Sequence, residues 1–217
     1  MTLTPYITVM HEAVHEIEIR RSRFIASVFP VSSEEKAAQA IESKRREHWK
    51  ANHNCFAYII GENQAVQKAS DDGEPSGTAG VPILEVLKKR RLRDVLVVVT
   101  RYFGGIKLGA GGLIRAYAHT TSAGLAAAEV VEQVPSDLWR VTVDYPLSGA
   151  LDNQLRESSY LIKDIHYTDK VQFDVYTRQE ESKIFASWIT EQTNARAVLE
   201  KMAETYLQKK VTEPFNK

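Results

Sequence analysis

The sequence predicts an α+β protein of two domains, residues 1–132 and 138–217. Apolar periodicities typical of strands and of helices alternate along the whole chain. A segment at 132–137 that contains Pro135 separates two such series and is the best candidate for a linker. After it, the order strand, helix, strand, strand, helix, strand spans about 80 residues. That is the order of a ferredoxin-like split βαβ unit.

The first domain begins with a predicted hairpin. Ile17 and Ile19 alternate with charged residues, the alternation breaks at 21–22, and an apolar strand follows. Ser32, with Glu35 three positions later, forms a capping box that predicts the start of a helix. The predicted elements are strands 16–20 and 23–29, helix 32–48, strands 55–60 and 66–70, helix 83–91, strand 94–100 and helix 113–129.

The second domain is predicted in the same way. Val141 and Val143 lie on one face of a predicted strand, and Leu151 and Leu155 belong to a predicted helix. The predicted elements are strand 139–145, helix 148–158, strands 160–167 and 171–177, helix 180–192 and strand 197–206. The tryptophans are predicted to pack in cores, namely Trp49, Trp139 and Trp188.

Composition excludes several classes of protein. The 217 residues include 28 Lys plus Arg and 28 Asp plus Glu, and the pI is about 7.0. Because domains that hold nucleic acid by bulk charge usually have a pI above ~9, a nucleic-acid role requires a local patch here. Cys55 is the single cysteine, which excludes an intrachain disulfide and a CxxC motif. The sequence has neither a signal peptide nor a long apolar run, so we expect a cytoplasmic protein with no membrane partner.

The most informative segment is the glycine-rich stretch 101–115, which lies between a predicted strand and a predicted helix. Its glycines allow positive φ and let backbone N–H groups converge, and the helix N-terminus adds partial positive charge. It matches neither a Walker A loop nor a dinucleotide fingerprint. A tight loop that only packs helix against sheet is the alternative. The predicted phosphate or nucleic-acid contacts are Arg101, Tyr102, Phe103, Gly104, Gly105, Lys107, Gly109, Gly111, Gly112 and Arg115.

A second loop, at 70–80, is acidic. Its candidate cleft residues are Asp71, Asp72, Glu74, Ser76 and Thr78. Oxygen ligands of this kind suit Mg²⁺, but the spacing is not that of an EF-hand, and we predict no bound metal and no cofactor. Two other interpretations stay open: ion pairs with the cations of the glycine-rich loop, or a solvated turn.

Two further features have both a functional and a structural interpretation. The basic run is typical of a solvated helix end but is also a secondary patch for phosphate, consisting of Lys88, Lys89, Arg90, Arg91 and Arg93. His53 and Cys55 point to the same side of a predicted strand, so they form either a nucleophilic dyad or a histidine beside a small buried thiol.

Four motifs together resemble the IMPACT family, and most closely its bacterial, YigZ-like members. They lie at 21–26, 52–58, 70–80 and 98–117, and the resemblance covers most of residues 1–130. It implies a two-layer α/β N-terminal domain of the kind named for domain 2 of a small-subunit ribosomal protein. It also implies a C-terminal domain similar to domain V of elongation factor G.

The resemblance implies a role in translation. Eukaryotic members regulate translation by competing for the activator of an initiation-factor kinase through a mechanism that also uses a further N-terminal domain. We therefore predict a non-enzymatic, cytoplasmic factor that binds RNA, the ribosome or a translation-related protein through the glycine-rich loop. One alternative is an enzyme that acts on a small phosphorylated ligand, with or without Mg²⁺, at loops 70–80 and 101–115. The other is a protein-binding module without nucleic-acid contact.

Overall fold

The computed structural model describes residues 3–211. Contacts divide the described chain into an N-terminal unit, residues 6–132 together with 210–211, and a C-terminal unit, residues 133–209 together with 3–5. Both units combine helices with antiparallel sheet pairs, which confirms the predicted α+β class. No helix within residues 3–211 is long and apolar enough to cross a membrane.

The N-terminal unit is built on one five-stranded antiparallel sheet. The elements are β1 Tyr6–Val9, β2 Ala13–Ile19, β3 Ser22–Pro30, α1 Glu34–Glu47, β4 His53–Ile60, β5 Val66–Ser70, α2 Gly80–Lys89, β6 Val95–Tyr102 and α3 Ala110–Ala127. The sheet order is β2-β3-β6-β4-β5, so the apolar strand β6 is central. The short strand β1 was not predicted, because four residues carry too little periodicity.

Both faces of this sheet are covered by helices, which corrects the predicted two layers. On β4, Cys55 and Ala57 face the core shared with α2 and α3, whereas Phe56 and Tyr58 face the core shared with α1. Strand β6 divides its side chains in the same way. Strands buried on both faces are continuously apolar and need a cover on each side. The third layer therefore follows from the uninterrupted apolar sequences of β4 and β6.

The C-terminal unit has the predicted strand-helix-strand-strand-helix-strand order. Its elements are β7 Val130–Val143, α4 Tyr145–Glu157, β8 Leu161–Tyr167, β9 Val171–Arg178, α5 Ser182–Gln192 and β10 Val198–Lys210. Within this unit, β7 pairs with both β10 and β9, and β9 pairs with β8, which gives the order β10-β7-β9-β8 for these four strands. Phe173 on β9 and Phe185 and Ile189 on α5 are fully buried in one core.

The predicted linker at 132–137 is wrong, because these residues lie inside β7 and the division between the units falls within this strand. Pro135 breaks most strands because it has no N–H to donate to a ladder. Here the pairing of β7 with β9 begins at Ser136, so Pro135 precedes that ladder and interrupts nothing in it.

We predict that Gly80→Ala destabilises the protein, whereas Gly149→Ala does not. A Cβ on Gly80 would lie 2.7 Å from the Ser70 backbone, and such overpacking costs about 1–3 kcal/mol. A Cβ on Gly149 in α4 meets nothing within 4 Å, and Ala favours a helix over Gly by up to about 1 kcal/mol. Urea unfolding of both variants tests this, and a Gly80→Ala protein as stable as the wild type would contradict it.

Candidate functional site

The acidic loop is organised by Asp71, which caps helix α2 from outside the helix. One carboxylate oxygen accepts the N–H groups of Ala79 (3.0 Å) and Gly80 (2.8 Å), and the other accepts the N–H of Gly77 (2.8 Å). Ala79, at the N-cap position, has no side chain that could do this. Burial alone would raise the pKa of the Asp71 carboxyl, but the three N–H bonds outweigh burial and lower the pKa.

Glu74 forms a buried ion pair with Arg101. Its Oε1 lies 2.6 Å from Nη1 of Arg101 and also accepts the hydroxyl of Tyr117 at 2.8 Å. Glu74 and Arg101 are 8% and 5% exposed, and Tyr117 is fully buried. Of the ion pairs considered from the sequence, this one forms. The network joins the acidic loop, the end of β6 and helix α3.

Arg101 also fixes the start of the glycine-rich loop. Its guanidinium contacts the rings of Phe24 and Phe103, at 5.3 and 5.5 Å from the ring centroids, and Nη2 lies 3.4 Å from the Ser22 hydroxyl. The same hydroxyl accepts the N–H of Gly104 at 3.2 Å. Any Cβ on Gly104 would overlap the carbonyl group of Arg21, so the close approach requires glycine. Because Arg101 faces inward, it supports the loop and does not belong to the exposed contacts predicted for it.

The His53–Cys55 dyad considered from the sequence does not form. The thiol of Cys55 donates to the Asp71 carbonyl at 2.9 Å and approaches the Tyr117 hydroxyl at 3.4 Å, and burial raises its pKa to about 12. His53 instead places Nδ1 2.9 Å from the Asp72 carbonyl oxygen. A thiol that stays protonated at neutral pH is a poor nucleophile.

The remaining cleft residues have mainly structural partners. The Asp72 carboxylate accepts the Asn54 N–H at 2.7 Å and pairs with Arg45 at 2.9 Å. Thr78 donates its hydroxyl to the Pro75 carbonyl, and Ser76 is exposed. Within residues 3–211, no group of three or more His, Cys, Asp or Glu side chains is placed to hold a metal ion.

The outer side of the glycine-rich loop is cationic and exposed. Lys107 and Arg115 are exposed, and neither has a hydrogen-bond or ion-pair partner among residues 3–211. Phe103 is 45% exposed, and its N–H is held by the Asn52 side chain at 2.8 Å. Tyr102 is half-buried and hydrogen-bonded to His48 at 3.0 Å. The loop therefore presents cations and one aromatic ring to solvent.

The glycines divide into two kinds by position. Gly105 and Gly109 have φ of 84° and 71°, a conformation that favours glycine. Gly111 and Gly112 lie inside the first turn of α3, whose N-terminal N–H groups have no partners within the helix.

A concavity of about 280 Å³, here called the arginine concavity, lies beside this loop. Its lining includes Arg20, Arg115 and His119, together with Ile19, Leu108 and Ala116. Sequence reasoning missed Arg20 and His119. His119 lies four residues after Arg115, on the same helix face, which was a usable signal. The position of Arg20 beside α3 is a long-range contact without a local signal.

The secondary basic patch is not part of this site. Lys89 ends α2, and Arg93 precedes β6, where its guanidinium stacks on Tyr6 at 3.6 Å. The glycine-rich loop follows the other end of β6, whose eight residues at about 3.3 Å each separate the two regions by roughly 25 Å. Lys88 pairs with Glu85 at 3.3 Å.

Trp49 is 75% exposed, so its predicted core position is wrong. It follows the end of α1, and the ammonium group of Lys50 lies 5.0 Å from the ring centroid. Trp139 and Trp188 do pack against the C-terminal core, as predicted.

Comparison with known proteins gives similarities over nearly the whole chain. Residues 20–125 match the Impact N-terminal domain, and residues 141–196 match a domain of unknown function (DUF1949). IMPACT family member YvyE of Bacillus subtilis is 52% identical, with 96% of each chain covered. An IMPACT family member of Haemophilus influenzae is 30% identical over 91% of this chain and 97% of its own. A crystal structure of a hypothetical protein is 27% identical, with a TM-score of 0.58 over 93% of this chain and 98% of its own.

We predict that Glu74→Ala strongly destabilises the N-terminal unit, because it leaves the Arg101 charge buried without a partner. Breaking a buried pair in this way costs about 3–5 kcal/mol. Glu74→Gln keeps an oxygen acceptor and should cost less. The matched control is Glu16→Ala, which removes an exposed pair with Arg23 and should leave stability unchanged. Equal losses for Glu74→Ala and Glu16→Ala in urea unfolding would contradict the prediction.

We predict that the Asp71 cap stabilises the fold at neutral pH and is lost in acid. The pKa of the Asp71 carboxyl is lowered on folding. Its contribution to stability is therefore present above the unfolded-state pKa of about 3.9 and is lost as the pH falls through the folded-state pKa. Asp71→Asn, which cannot titrate, should be about 1–2 kcal/mol less stable at pH 7. The difference in unfolding free energy between the wild type and Asp71→Asn should shrink from pH 7 to pH 3. A difference that stays constant over this range would contradict the prediction.

Proposed function

The chain belongs to the IMPACT family, and on that premise we propose that it is a non-enzymatic, cytoplasmic, translation-associated factor that binds RNA on the ribosome. The contact surface is the outer side of the glycine-rich loop, residues 103–115. The carrying observation is the pair of exposed cations without partners, Lys107 and Arg115.

Charge separation within the site supports this proposal. The carboxylates of the acidic loop are turned inward: Asp71 accepts three N–H groups, and Glu74 is buried against Arg101. Neither carboxylate pairs with Lys107 or Arg115. A chain with equal numbers of acidic and basic residues thereby acquires a local positive surface. Cations on such a surface bind phosphates by releasing condensed counterions.

One exposed aromatic ring in the same loop as the cations favours single-stranded RNA. Phe103 is 45% exposed and is fixed at its backbone by Asn52. Single-strand binders combine a basic surface with aromatic side chains on which bases stack, and each stacked base contributes about 1–3 kcal/mol. The structure supplies both parts within one loop.

The arrangement of the C-terminal unit supports the same proposal by analogy. The element order βαββαβ and the strand order β10-β7-β9-β8 are those expected of a ferredoxin-like domain. We propose that it corresponds to domain V of elongation factor G. We also propose that the N-terminal unit carries the fold named for the ribosomal-protein domain, with helix α1 added on the second face of its sheet. Fold analogy bears only on the class of function, and the loop residues carry the argument for binding.

Binding is favoured over catalysis by the chemistry of the cleft. The Asp71, Asp72 and Glu74 carboxylates all have hydrogen-bonding partners within the protein, and the Cys55 thiol stays protonated. A general acid or base must instead reach the proton of a bound substrate. Among residues 3–211, therefore, none of these four groups is placed to carry the enzymatic alternative.

We predict that the wild-type protein co-sediments with ribosomes in a salt-sensitive manner and that Lys107→Ala/Arg115→Ala weakens binding. Each phosphate contact removed should reduce the steepness of the log–log salt dependence by about 0.7–0.9. Lys88→Ala/Lys89→Ala is the matched control, since it removes two charges at the other end of β6. Binding that is insensitive to salt and to the loop variant would contradict RNA contact and favour a protein partner.

A further inference from the structure

We propose that the arginine concavity is a phosphate-binding site in which Arg20, Arg115 and His119 contact the phosphate oxygens. The proposal deepens the proposed function and rests on it for the source of the phosphate, a backbone phosphate of RNA. A small phosphorylated compound presents the same chemistry and is separated from RNA by the test below.

The arginine concavity carries positive charge that no acidic lining residue compensates. Two arginines and a histidine line one concavity, and none of its lining residues is acidic. None of the three has a hydrogen-bond or ion-pair partner among residues 3–211. Guanidinium groups bind phosphate through paired N–H bonds in a geometry that matches its oxygens. The concavity thus offers several donors to one anion and no competing acceptor side chain.

Arg20 lies in a strained turn between β2 and β3. Strands β2 and β3 pair up to Ile19 and Ser22, which leaves Arg20 and Arg21 as a two-residue turn. Both have positive φ, 47° and 64°, as a type I′ turn requires, and Asn-Gly is strongly preferred in such turns. Strained residues that persist cluster at functional sites. An Arg-Arg turn is therefore better explained by what the side chains bind than by folding.

The strained turn packs tightly against the glycine-rich loop. The Gly104 backbone packs on the Arg21 carbonyl, and the Ser22 hydroxyl accepts the Gly104 N–H. The turn is thereby fixed to the start of the glycine-rich loop. Such fixation lowers the entropy lost when a ligand is bound.

The volume of the arginine concavity suits a small anionic group. A volume of about 280 Å³ lies just below the ~300–1,000 Å³ of ordinary small-molecule pockets. It suits a phosphate with part of the attached sugar better than an entire cofactor. Gly112 also lines the concavity, so the concavity begins at the first turn of α3, where the partial positive charge of the helix N-terminus lies.

The test is Arg20→Asn/Arg21→Gly, which replaces the turn with its preferred sequence. Thermal unfolding should show a melting temperature equal to or above that of the wild type, because the strain is relieved. Binding should fall about tenfold or more, the effect of losing a charge-assisted hydrogen bond. The probes are inorganic phosphate, 5′-AMP and a fluorescent single-stranded oligouridylate, with Lys88→Ala/Lys89→Ala as the control of equal charge. His119→Gln should also weaken binding of the probes. It tests the same site if the turn variant does not fold.

The outcomes separate this proposal from the preceding one. Oligouridylate binding weakened by the turn variant and by His119→Gln, but not by the control, supports both. A different result would overturn the phosphate site alone. In that result, Lys107→Ala/Arg115→Ala weakens oligouridylate binding, whereas the turn variant and His119→Gln leave it unchanged. A wild-type protein that binds phosphate and 5′-AMP but no oligouridylate, with a turn variant that binds neither small probe, supports the phosphate site and contradicts the RNA function. Absence of binding to all three probes overturns the site.

Discussion

The buried pair of Glu74 and Arg101 is the contact on which the rest of the site depends. It joins the acidic loop to the end of β6, reaches α3 through the Tyr117 hydroxyl and reaches β3 through Ser22. Buried pairs add little net stability compared with apolar residues, but breaking one is costly. We interpret this one as a positioning device, because it fixes four segments relative to one another at a single point.

This arrangement decides which charges meet solvent. The acidic loop turns its carboxylates toward backbone N–H groups and toward Arg101, so their negative charge is used inside the unit. Lys107 and Arg115 stay outside and unpaired within the described chain. A protein without net charge can therefore present a positive surface beyond the end of its central strand β6. The surface is produced by the fold and not by composition.

Local sequence signals predicted most elements and the family, and missed what depends on long-range contacts. The continuous apolar runs of β4 and β6 predicted buried strands, and their burial on both faces became clear only with α1 in place. Pro135 suggested a linker, because no local signal shows that the strand around it pairs with β9. The pairing partners lie about forty residues later in the chain. Arg20 gave no signal, since its role depends on a turn packed against the glycine-rich loop.

The central claim is that the glycine-rich loop and the adjoining turn form the contact surface for RNA. Hydrogen–deuterium exchange with and without a single-stranded oligoribonucleotide tests it most directly, because it reports on the backbone and requires no substitution. We predict slowed exchange at residues 19–22 and 103–116 and unchanged exchange at 88–93. Protection confined to 88–93 or to the sheet of the C-terminal unit would contradict the account.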